Sequence, residues 1–129
     1  MSDKFTFEII TPDKSILKSE TSEVTIPSYE GQMGILKDHI PLITFLRPGL
    51  IHIHNQEEKK YYVEEGTVEF SNNNLLILTS TIIDLADLNQ IYIDELLNKA
   101  KDKLSNDNYS DKEKYLLSYK ISTLKEINQ

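Results

Sequence analysis

Residues 29–53 read YEGQMGILKDHIPLITFLRPGLIHI, and this stretch of the chain decides the fold. It holds three of the four Gly residues, two of the four Pro residues and the single Arg of the 129-residue sequence. Because Gly loses extra conformational entropy on folding and Pro lacks a backbone donor, both are concentrated where backbone geometry requires them. The stretch therefore predicts short strands separated by closely spaced turns.

The first half of the stretch predicts a shaped loop that leads into a strand. Gly31 and Gly34, three residues apart, suit a loop over residues 30–34 whose backbone reaches positive φ twice. Pro41 forces the residue before it into an extended conformation and leads into the apolar run 42–46. We therefore expect a loop followed by a β-strand.

The second half predicts a tight turn. Pro48 and Gly49 occupy the two central positions of the segment 47–50, as in a type II turn. Such a turn makes residues 42–46 and 50–54 a β-hairpin. The whole stretch is then β structure.

Similar strand patterns fill the rest of the first 86 residues. Short apolar patterns that suit strands recur at 5–9, 16, 24–26, 42–46, 51–53, 61–63, 68–70 and 75–78. Turn residues separate these segments at 11–13, 28–31, 55–58, 65–66 and 72–74. Many short strands with no intervening helical period predict an antiparallel β-sandwich over residues 1–86.

The period becomes helical from residue 87 onward. We expect Asp87 to cap a first helix and the polar run 105–108 to end it. The apolar face of this helix has two rows at helical spacing, namely Leu88, Tyr92, Leu96, Ala100 and Leu104, and Ile93, Leu97, Ala100 and Leu104.

A second helix is predicted from Ser110 or Asp111. Ser110 and Glu113 have the spacing of a capping box, and the apolar stripe of this helix is Leu117, Ile121 and Leu124. The fold class is therefore α+β: an N-terminal antiparallel β-sandwich, 1–86, followed by a C-terminal two-helix hairpin, 87–129. Each stripe is narrow enough to be covered by the partner helix, by the sandwich or by another protein. We therefore expect alternative docked positions of similar free energy, between which the hairpin could switch.

Three linked motifs in the opening stretch resemble a known family. An E-G-x-x-G-I segment, an H-x-P-L-(L/I) segment and a K/R-P-G turn follow one another as in the epsilon subunit of F-type ATP synthases, the counterpart of the mitochondrial delta subunit. Here they are carried by Glu30, Gly31, Gly34, Ile35, His39, Pro41, Leu42, Arg47, Pro48 and Gly49. The resemblance in architecture extends over the rest of the chain.

The resemblance implies a non-catalytic role in the rotor. In that family the sandwich binds the gamma subunit and the ring of c subunits, and the C-terminal helices can extend toward the alpha-beta head and hinder ATP hydrolysis. The implied rotor-interface loop is Glu30, Gly31, Gln32, Met33, Gly34, Ile35 and Leu36 together with His39, and the implied structural turns are Pro41, Arg47, Pro48 and Gly49. The implied regulatory contacts are the lysines of the tail, Lys99, Lys101, Lys103, Lys112, Lys114, Lys120 and Lys125, unless these are only a solvated helix face.

One part of the family pattern is missing. Some bacterial epsilon subunits bind ATP through an I/L-D-x-x-R-A segment in the first helix and through arginines in the second. The matching positions here are Leu88, Asn89, Tyr92 and Ile93, and residues 87–129 contain no Arg. Because Lys does not reproduce the planar fork of Arg on phosphate, we expect no strong ATP binding by the isolated protein and no cofactor.

Composition excludes several classes of protein. The net charge is -7, and residues 1–86 carry 13 acidic against 7 basic residues, which argues against nucleic-acid binding. There is no Cys, and no apolar run approaches the roughly 18 residues of a membrane span. Met1-Ser2-Asp3-Lys4 lead directly into the first alternation, so we expect no signal or transit peptide. The expected location is the cytoplasmic face of a bacterial inner membrane, bound peripherally through the complex, rather than a plastid thylakoid.

The sequence contains no recognisable metal-binding or catalytic motif. His52 and His54 share one face of a strand, but with no third ligand at a recognisable spacing we expect no metal site. There is no phosphate loop, no G-x-S-x-G segment and no Cys nucleophile. Two other functions stay open: a free-standing sandwich that binds a small ligand beneath a helical lid, and an enzyme with a dispersed site whose ionisable groups converge in a cleft.

Overall fold

A computed structural model describes residues 3–106 and 108–127. Met1 and Ser2, at the expected start, and Asp107, in the run that predicts the end of the first helix, lie outside the described residues. The β-strands are β1 (Phe5–Ile10), β2 (Ser15–Thr21), β3 (Glu23–Ser28), β4 (Gly31–Leu36), β5 (Leu42–Leu46), β6 (Gly49–His54), β7 (Lys59–Val63), β8 (Gly66–Ser71), β9 (Asn74–Leu78) and β10 (Ile82–Asp84). A 3-10 turn over Leu85–Asp87 leads to α1 (Gln90–Leu104) and α2 (Asp111–Ile127). The α+β prediction is confirmed.

The strands form one curled sheet that folds over itself as a sandwich. Their order is β10-β7-β6-β3-β5-β8-β9-β1-β2, with β4 paired to β3 outside this path. All pairs are antiparallel except β1 with β9, which run parallel. Alternate residues point inward and make a core of large apolar side chains, among them Phe7, Ile26, Ile51, Phe70 and Ile77.

The predicted loop over 30–36 is a strand. Gly31–Leu36 pairs along its whole length with β3, so the only loop of this hairpin is Tyr29-Glu30. Gly31 has a φ of 120°, as predicted, but Gly34 does not have positive φ. The prediction was wrong because the two glycines serve different purposes: Gly31 closes the turn, whereas Gly34 lies within the ladder opposite Thr25.

The predicted hairpin of 42–46 with 50–54 is also wrong. β5 pairs with β8 and with the end of β3, whereas β6 pairs with β7 and with the start of β3. Arg47-Pro48 therefore carries the chain from one half of the curled sheet to the other. Gly49 does not have positive φ; a Cβ there would lie 2.4 Å from the Pro27 Cβ, so the position needs Gly for close approach.

The two helices form as the sequence predicts, with one change at the first cap. Asn89, not Asp87, caps α1, its side chain accepting a hydrogen bond from the Tyr92 N–H at 2.8 Å. The predicted capping box of α2 is present: Glu113 N–H donates to Ser110 Oγ, and Ser110 N–H donates to Glu113 Oε1. Asp87 instead ends the short 3-10 turn, which is capped by Asp84.

The hairpin is folded against the sandwich. Ile93, Leu97 and Ala100 of α1 and Ile121 and Leu124 of α2 are buried against each other. The sandwich adds buried Tyr62 and the partly buried Leu50 and Ile83 to this second cluster. No helix over residues 3–106 and 108–127 is long and apolar enough to cross a membrane.

Candidate functional site

The outer side of β5 is unusually apolar. Leu42, Thr44 and Leu46 point toward the core, while Ile43 and Phe45 point outward and are 74% and 57% exposed. A strand with one solvated face normally alternates apolar with polar residues. Both outward positions of β5 are instead apolar, which leaves large apolar side chains exposed on this side of the sheet.

The neighbouring elements extend this face. β8 lies next to β5, and β9 follows it with exposed Leu78 on the same side. Tyr29, at the tip of the β3–β4 hairpin, donates its N–H to the Phe45 carbonyl and is also exposed. Tyr29, Phe45 and Leu78 line one open depression of about 400 Å³. We call Tyr29, Ile43, Phe45 and Leu78 the apolar outer face.

The residues predicted for the rotor interface do not lie in one place. Glu30 and Gly31 lie at the hairpin tip beside the apolar outer face. Ile35 is fully buried, and Met33 packs against the sandwich core, so these two serve the interior. Gln32 and Leu36 are exposed on the other side of β4.

His39 lies at the opposite end of β4 from Glu30. Its ring makes an edge-to-face contact with buried Phe70, with centroids 5.9 Å apart, and its Nδ1 is 2.7 Å from the Ile40 carbonyl. The turn before it is held by Asp38 at a φ of 66°, whose N–H donates to Asn73 Oδ1. Six residues of strand, roughly 17–20 Å, separate the two predicted interface elements.

Arg47, predicted only as a turn residue, is where α2 contacts the sandwich. Its guanidinium lies over the Tyr119 ring, 3.8 Å from the centroid, and its Nη1 donates to the Pro48 carbonyl. Thr123 Oγ1 reaches the same carbonyl at 3.5 Å. The Arg-Pro turn is therefore part of the docking site of the hairpin.

A second polar contact is made by Lys120, the residue that follows Tyr119 in α2. Lys120 Nζ is 2.9 Å from Glu64 Oε2, and the Tyr62 hydroxyl donates to the same oxygen at 2.9 Å. Burial, the Glu64 charge and this hydrogen bond, in that order, raise the pKa of Tyr62. We call Arg47, Tyr119, Glu64 and Lys120 the latch.

The tail lysines are divided by their environments. Lys120 is held in the latch, and Lys112 borders the depression beside Tyr29. Lys114 is half-buried, while Lys99, Lys101, Lys103 and Lys125 are exposed. Lys120 is therefore engaged within the molecule when the hairpin is docked.

The positions that match the ATP-binding segment have structural roles. Asn89 caps α1, Ile93 is buried in the helical cluster, and Tyr92 is on the surface. The expectation that ATP binding is weak stays a prediction, and the roles of Asn89 and Ile93 support it.

The space beneath α2 does not suit an apolar ligand. A cavity of about 230 Å³ lies between α2, β6 and β7, and most of its lining is polar: Gln32, Arg47, His52, Lys60, Tyr119 and Glu126. A small-ligand pocket under a lid would have an apolar lining with few polar groups. This feature does not favour the ligand-binding alternative.

One cluster at the edge of this region was missed by the sequence analysis. The turn at 55–58 brings Glu58 back to His52 and His54, with His52 Nε2 3.4 Å from Glu58 Oε2 and His54 Nδ1 3.8 Å from Glu58 Oε1. The two imidazole rings are stacked at 3.8 Å. Glu58 is thus a third candidate ligand that sequence spacing does not reveal, because a turn folds it back beside the histidines, and the expectation of no metal site stays a prediction.

The apolar outer face was also missed, although the sequence carries its signal. Five consecutive residues of β5 include four large apolar side chains, which exceeds what one buried face requires. The contact of Arg47 with Tyr119, by contrast, joins residues far apart in sequence and has no local signal.

Comparison with known proteins gives a consistent result. Residues 4–84 match the family described as the ATP synthase, Delta/Epsilon chain, beta-sandwich domain. The ATP synthase epsilon chain of Pelagibacter ubique (strain HTCC1062) is 48% identical over 130 aligned positions, covering 99% of this chain and 100% of the relative. That of Rhizobium rhizogenes (strain K84) is 32% identical, covering 81% of this chain and 78% of the relative.

Two solved structures share the fold at low sequence identity. A chain of the cryo-EM structure of the Euglena gracilis mitochondrial ATP synthase, OSCP/F1/c-ring, has a TM-score of 0.78 and 17% identity, covering 99% of this chain and 81% of that one. A chain of the Tetrahymena thermophila mitochondrial ATP synthase central stalk and c-ring has a TM-score of 0.61 and 16% identity, covering 95% and 92%. The architecture, including the helices, is thus shared with chains of such assemblies.

Proposed function

The chain belongs to the epsilon-chain family of ATP synthases, and on that premise we propose that it couples rotation of the c-ring to ATP synthesis through contacts with the gamma subunit. As a family member it is a non-catalytic subunit of the ATP synthase central stalk. The finer roles that follow, including the partner that each surface contacts, are our proposals.

The apolar outer face is the observation that carries this proposal. Its four side chains are 41–74% exposed on one side of a sheet whose other side is packed into the core, and clustered exposed apolar side chains commonly mark interaction sites. A partner that covers Ile43 and Phe45 adds area to an interface without changing the backbone. We propose gamma as the protein that covers it.

The hairpin tip beside that face supplies the second contact. Glu30 lies in a turn that is held by Ser28, whose Oγ donates to the Gly31 carbonyl and accepts from the Glu30 N–H. We propose that this tip meets the c-ring, and that His39 supports the far end of the same hairpin. We further propose that the subunit lies at the cytoplasmic face of a bacterial inner membrane, attached through the complex.

The C-terminal hairpin supplies a regulatory role. Its contact with the sandwich uses three sandwich side chains, Leu50, Tyr62 and Ile83, together with the latch. We propose that release of this contact frees α1 and α2, with their exposed lysines, to meet the alpha-beta head and slow ATP hydrolysis. A few kcal/mol of differential binding is enough to shift such an equilibrium.

The interface is tested by two matched Ile→Glu variants. Ile43 and Ile91 are 74% and 73% exposed, but Ile43 lies on the apolar outer face and Ile91 on α1. In reconstitution with purified gamma, Ile43→Glu is expected to weaken binding at least about 10-fold, as for loss of an interface hot spot, and Ile91→Glu to bind as the parent does. Equal affinity of both variants would sink the assignment of this face to gamma.

The hairpin is tested separately in the reconstituted synthase. Full-length chain and a chain that ends at Ala86 are compared for ATP hydrolysis and for proton pumping. The proposal predicts faster hydrolysis with retained pumping for the shortened chain. Unchanged hydrolysis would remove the inhibitory role and leave the rotor role standing.

A further inference from the structure

Among the described residues, one group of three side chains has the composition and separation of a metal site. The facing ligand atoms of His52, His54 and Glu58 all lie within 4.8 Å of one another. Three ligands bound tetrahedrally to one zinc ion at about 2.0–2.1 Å lie about 3.4 Å apart, close to the 3.4 and 3.8 Å that separate the imidazole nitrogens from Glu58. The Glu58 side chain is 60% exposed, so packing does not prevent it from adjusting toward a shared ion.

The hydrogen bonds of His54 leave the correct nitrogen for a metal. Its Nε2 is 2.8 Å from Thr25 Oγ1, which is the second-shell contact that fixes the orientation of a ligating imidazole. Its Nδ1 faces Glu58. The His54 backbone is fixed as well, because its carbonyl accepts hydrogen bonds from the hydroxyls of Thr21 and Ser22.

His52 supplies a second nitrogen, which has no hydrogen-bond partner among the described residues. Its Nε2 is buried and makes no hydrogen bond within the described part of the chain, although the Glu58 carboxylate is 3.4 Å away. A buried polar atom without a partner costs free energy, and a metal ion bound between this nitrogen and the carboxylate removes that cost.

The three side chains lie at the end of β6 and in the turn that follows it. His52 and His54 are i and i+2 on β6, and Glu58 follows the turn that leads to β7. Across the ladders His54 is opposite Glu23, and His52 is opposite Lys60, so one negative and one positive neighbour flank the cluster. Three protein ligands leave one coordination position for water.

We infer that His52, His54 and Glu58 form a binding site for a divalent transition-metal ion, with Zn²⁺ as the best fit. Two imidazoles and one carboxylate favour Zn²⁺ over Mg²⁺ or Ca²⁺, which prefer all-oxygen ligands. Bound metal clips the end of β6 to the 55–58 turn, next to the cavity beneath α2 that His52 lines. The site is independent of the rotor contacts.

The test uses the untagged full chain after removal of metal with EDTA. Calorimetric titration with Zn²⁺ is expected to give one saturable site per chain and a higher thermal unfolding midpoint in its presence, whereas Mg²⁺ gives neither. Glu58→Gln is expected to lose at least about 10-fold in Zn²⁺ affinity, and Glu58→His, which restores a ligand, to recover most of it.

Two substitutions serve as matched controls. Glu57→Gln removes the same charge from the same turn but no ligand, and His39→Gln removes the third histidine of the chain, which lies elsewhere; both are expected to stay within about twofold. Equal losses in Glu57→Gln and Glu58→Gln would mean diffuse attraction to an acidic surface and would overturn the site. So would the absence of saturable Zn²⁺ binding below about 1 mM. Because Glu58 is exposed, its variants test the site without disturbing the core.

Discussion

The sandwich and the helical hairpin are stabilised in different ways. In the sandwich both halves of one curled sheet contribute side chains to the core. Its central side chains, such as Ile26, Ile51 and Ile77, are completely buried. In the hairpin the buried stripe is narrow, and its contact with the sandwich depends on a few side chains and the latch. We therefore expect the sandwich to fold as a unit and the hairpin to separate from it before the sandwich unfolds.

The largest effect is expected from breaking the sandwich itself. Phe7→Ala, at a 2% exposed core position, should lower the free energy of unfolding by about 3–5 kcal/mol and abolish strand and helix signals together. Phe45→Ala on the apolar outer face makes the same chemical change at a 57% exposed position and should cost under about 1 kcal/mol. Urea unfolding followed by circular dichroism measures both. Similar losses for the two would contradict the division into core and outer face.

A smaller effect, confined to one region, is expected from the hairpin. Leu124→Ala, at a fully buried position of α2, should cost about 2–5 kcal/mol of docking free energy while the sandwich stays folded. Hydrogen exchange is expected to rise in α1 and α2 and to stay low in β3, β6 and β8. If protection falls equally in the strands, the two regions are one cooperative unit and the comparison fails.

A substitution at the joint between the regions should have an intermediate effect. Gly49→Ala places a Cβ 2.4 Å from the Pro27 Cβ and should cost about 1–3 kcal/mol through overpacking. The new Cβ of Gly34→Ala would meet only the far end of the flexible Glu23 side chain, at 3.1 Å, and should cost less. The thermal unfolding midpoints of the two variants measure this difference. A larger loss for Gly34→Ala would show that the backbone at the Arg-Pro turn adjusts to the added Cβ at little cost.

The weakest expected effect is a dependence on alkaline pH. The pKa of Tyr62 is raised in the folded state, so its stabilising contribution is intact below the usual value of 10.0. Above that pH the unfolded chain loses the proton and the folded chain keeps it, so stability should fall by up to about 1.4 kcal/mol per pH unit. Urea unfolding between about pH 8 and 11 should give a flatter profile for Tyr62→Phe. If stability falls with pH as steeply in Tyr62→Phe as in the parent, other titrating groups cause the pH dependence.

Much of the fold could be predicted because its signals are local. The alternation along β1, the capping box at Ser110 and the stripe of α2 each lie within a few residues, and all three are present. The pairing of β5 could not be predicted in this way. Its partner β8 lies 20 residues or more along the chain, and the Pro-Gly signal at 48–49 fits a hairpin turn as well as the observed crossing.

The site was harder to predict than the fold. The motif residues Ile35 and His39 could be located by resemblance, but their sequence does not separate a partner contact from a packing role, and the structure buries Ile35 and packs His39 on Phe70. Glu58 joins His52 and His54 through a turn, and Arg47 meets Tyr119 across 72 positions of sequence. Contacts of that range follow only from the complete topology.

The crossing at Arg47-Pro48 brings the apolar outer face close to the contact between α2 and the sandwich. Phe45 faces outward on the apolar outer face, while Arg47, two residues later, lies against Tyr119 of α2. Because peptide units are rigid planes, the two positions are joined by a link with few internal degrees of freedom. Two peptide units therefore join the face on which we propose that gamma binds to the contact that holds α2 on the sandwich, and a backbone shift at either position would displace the other.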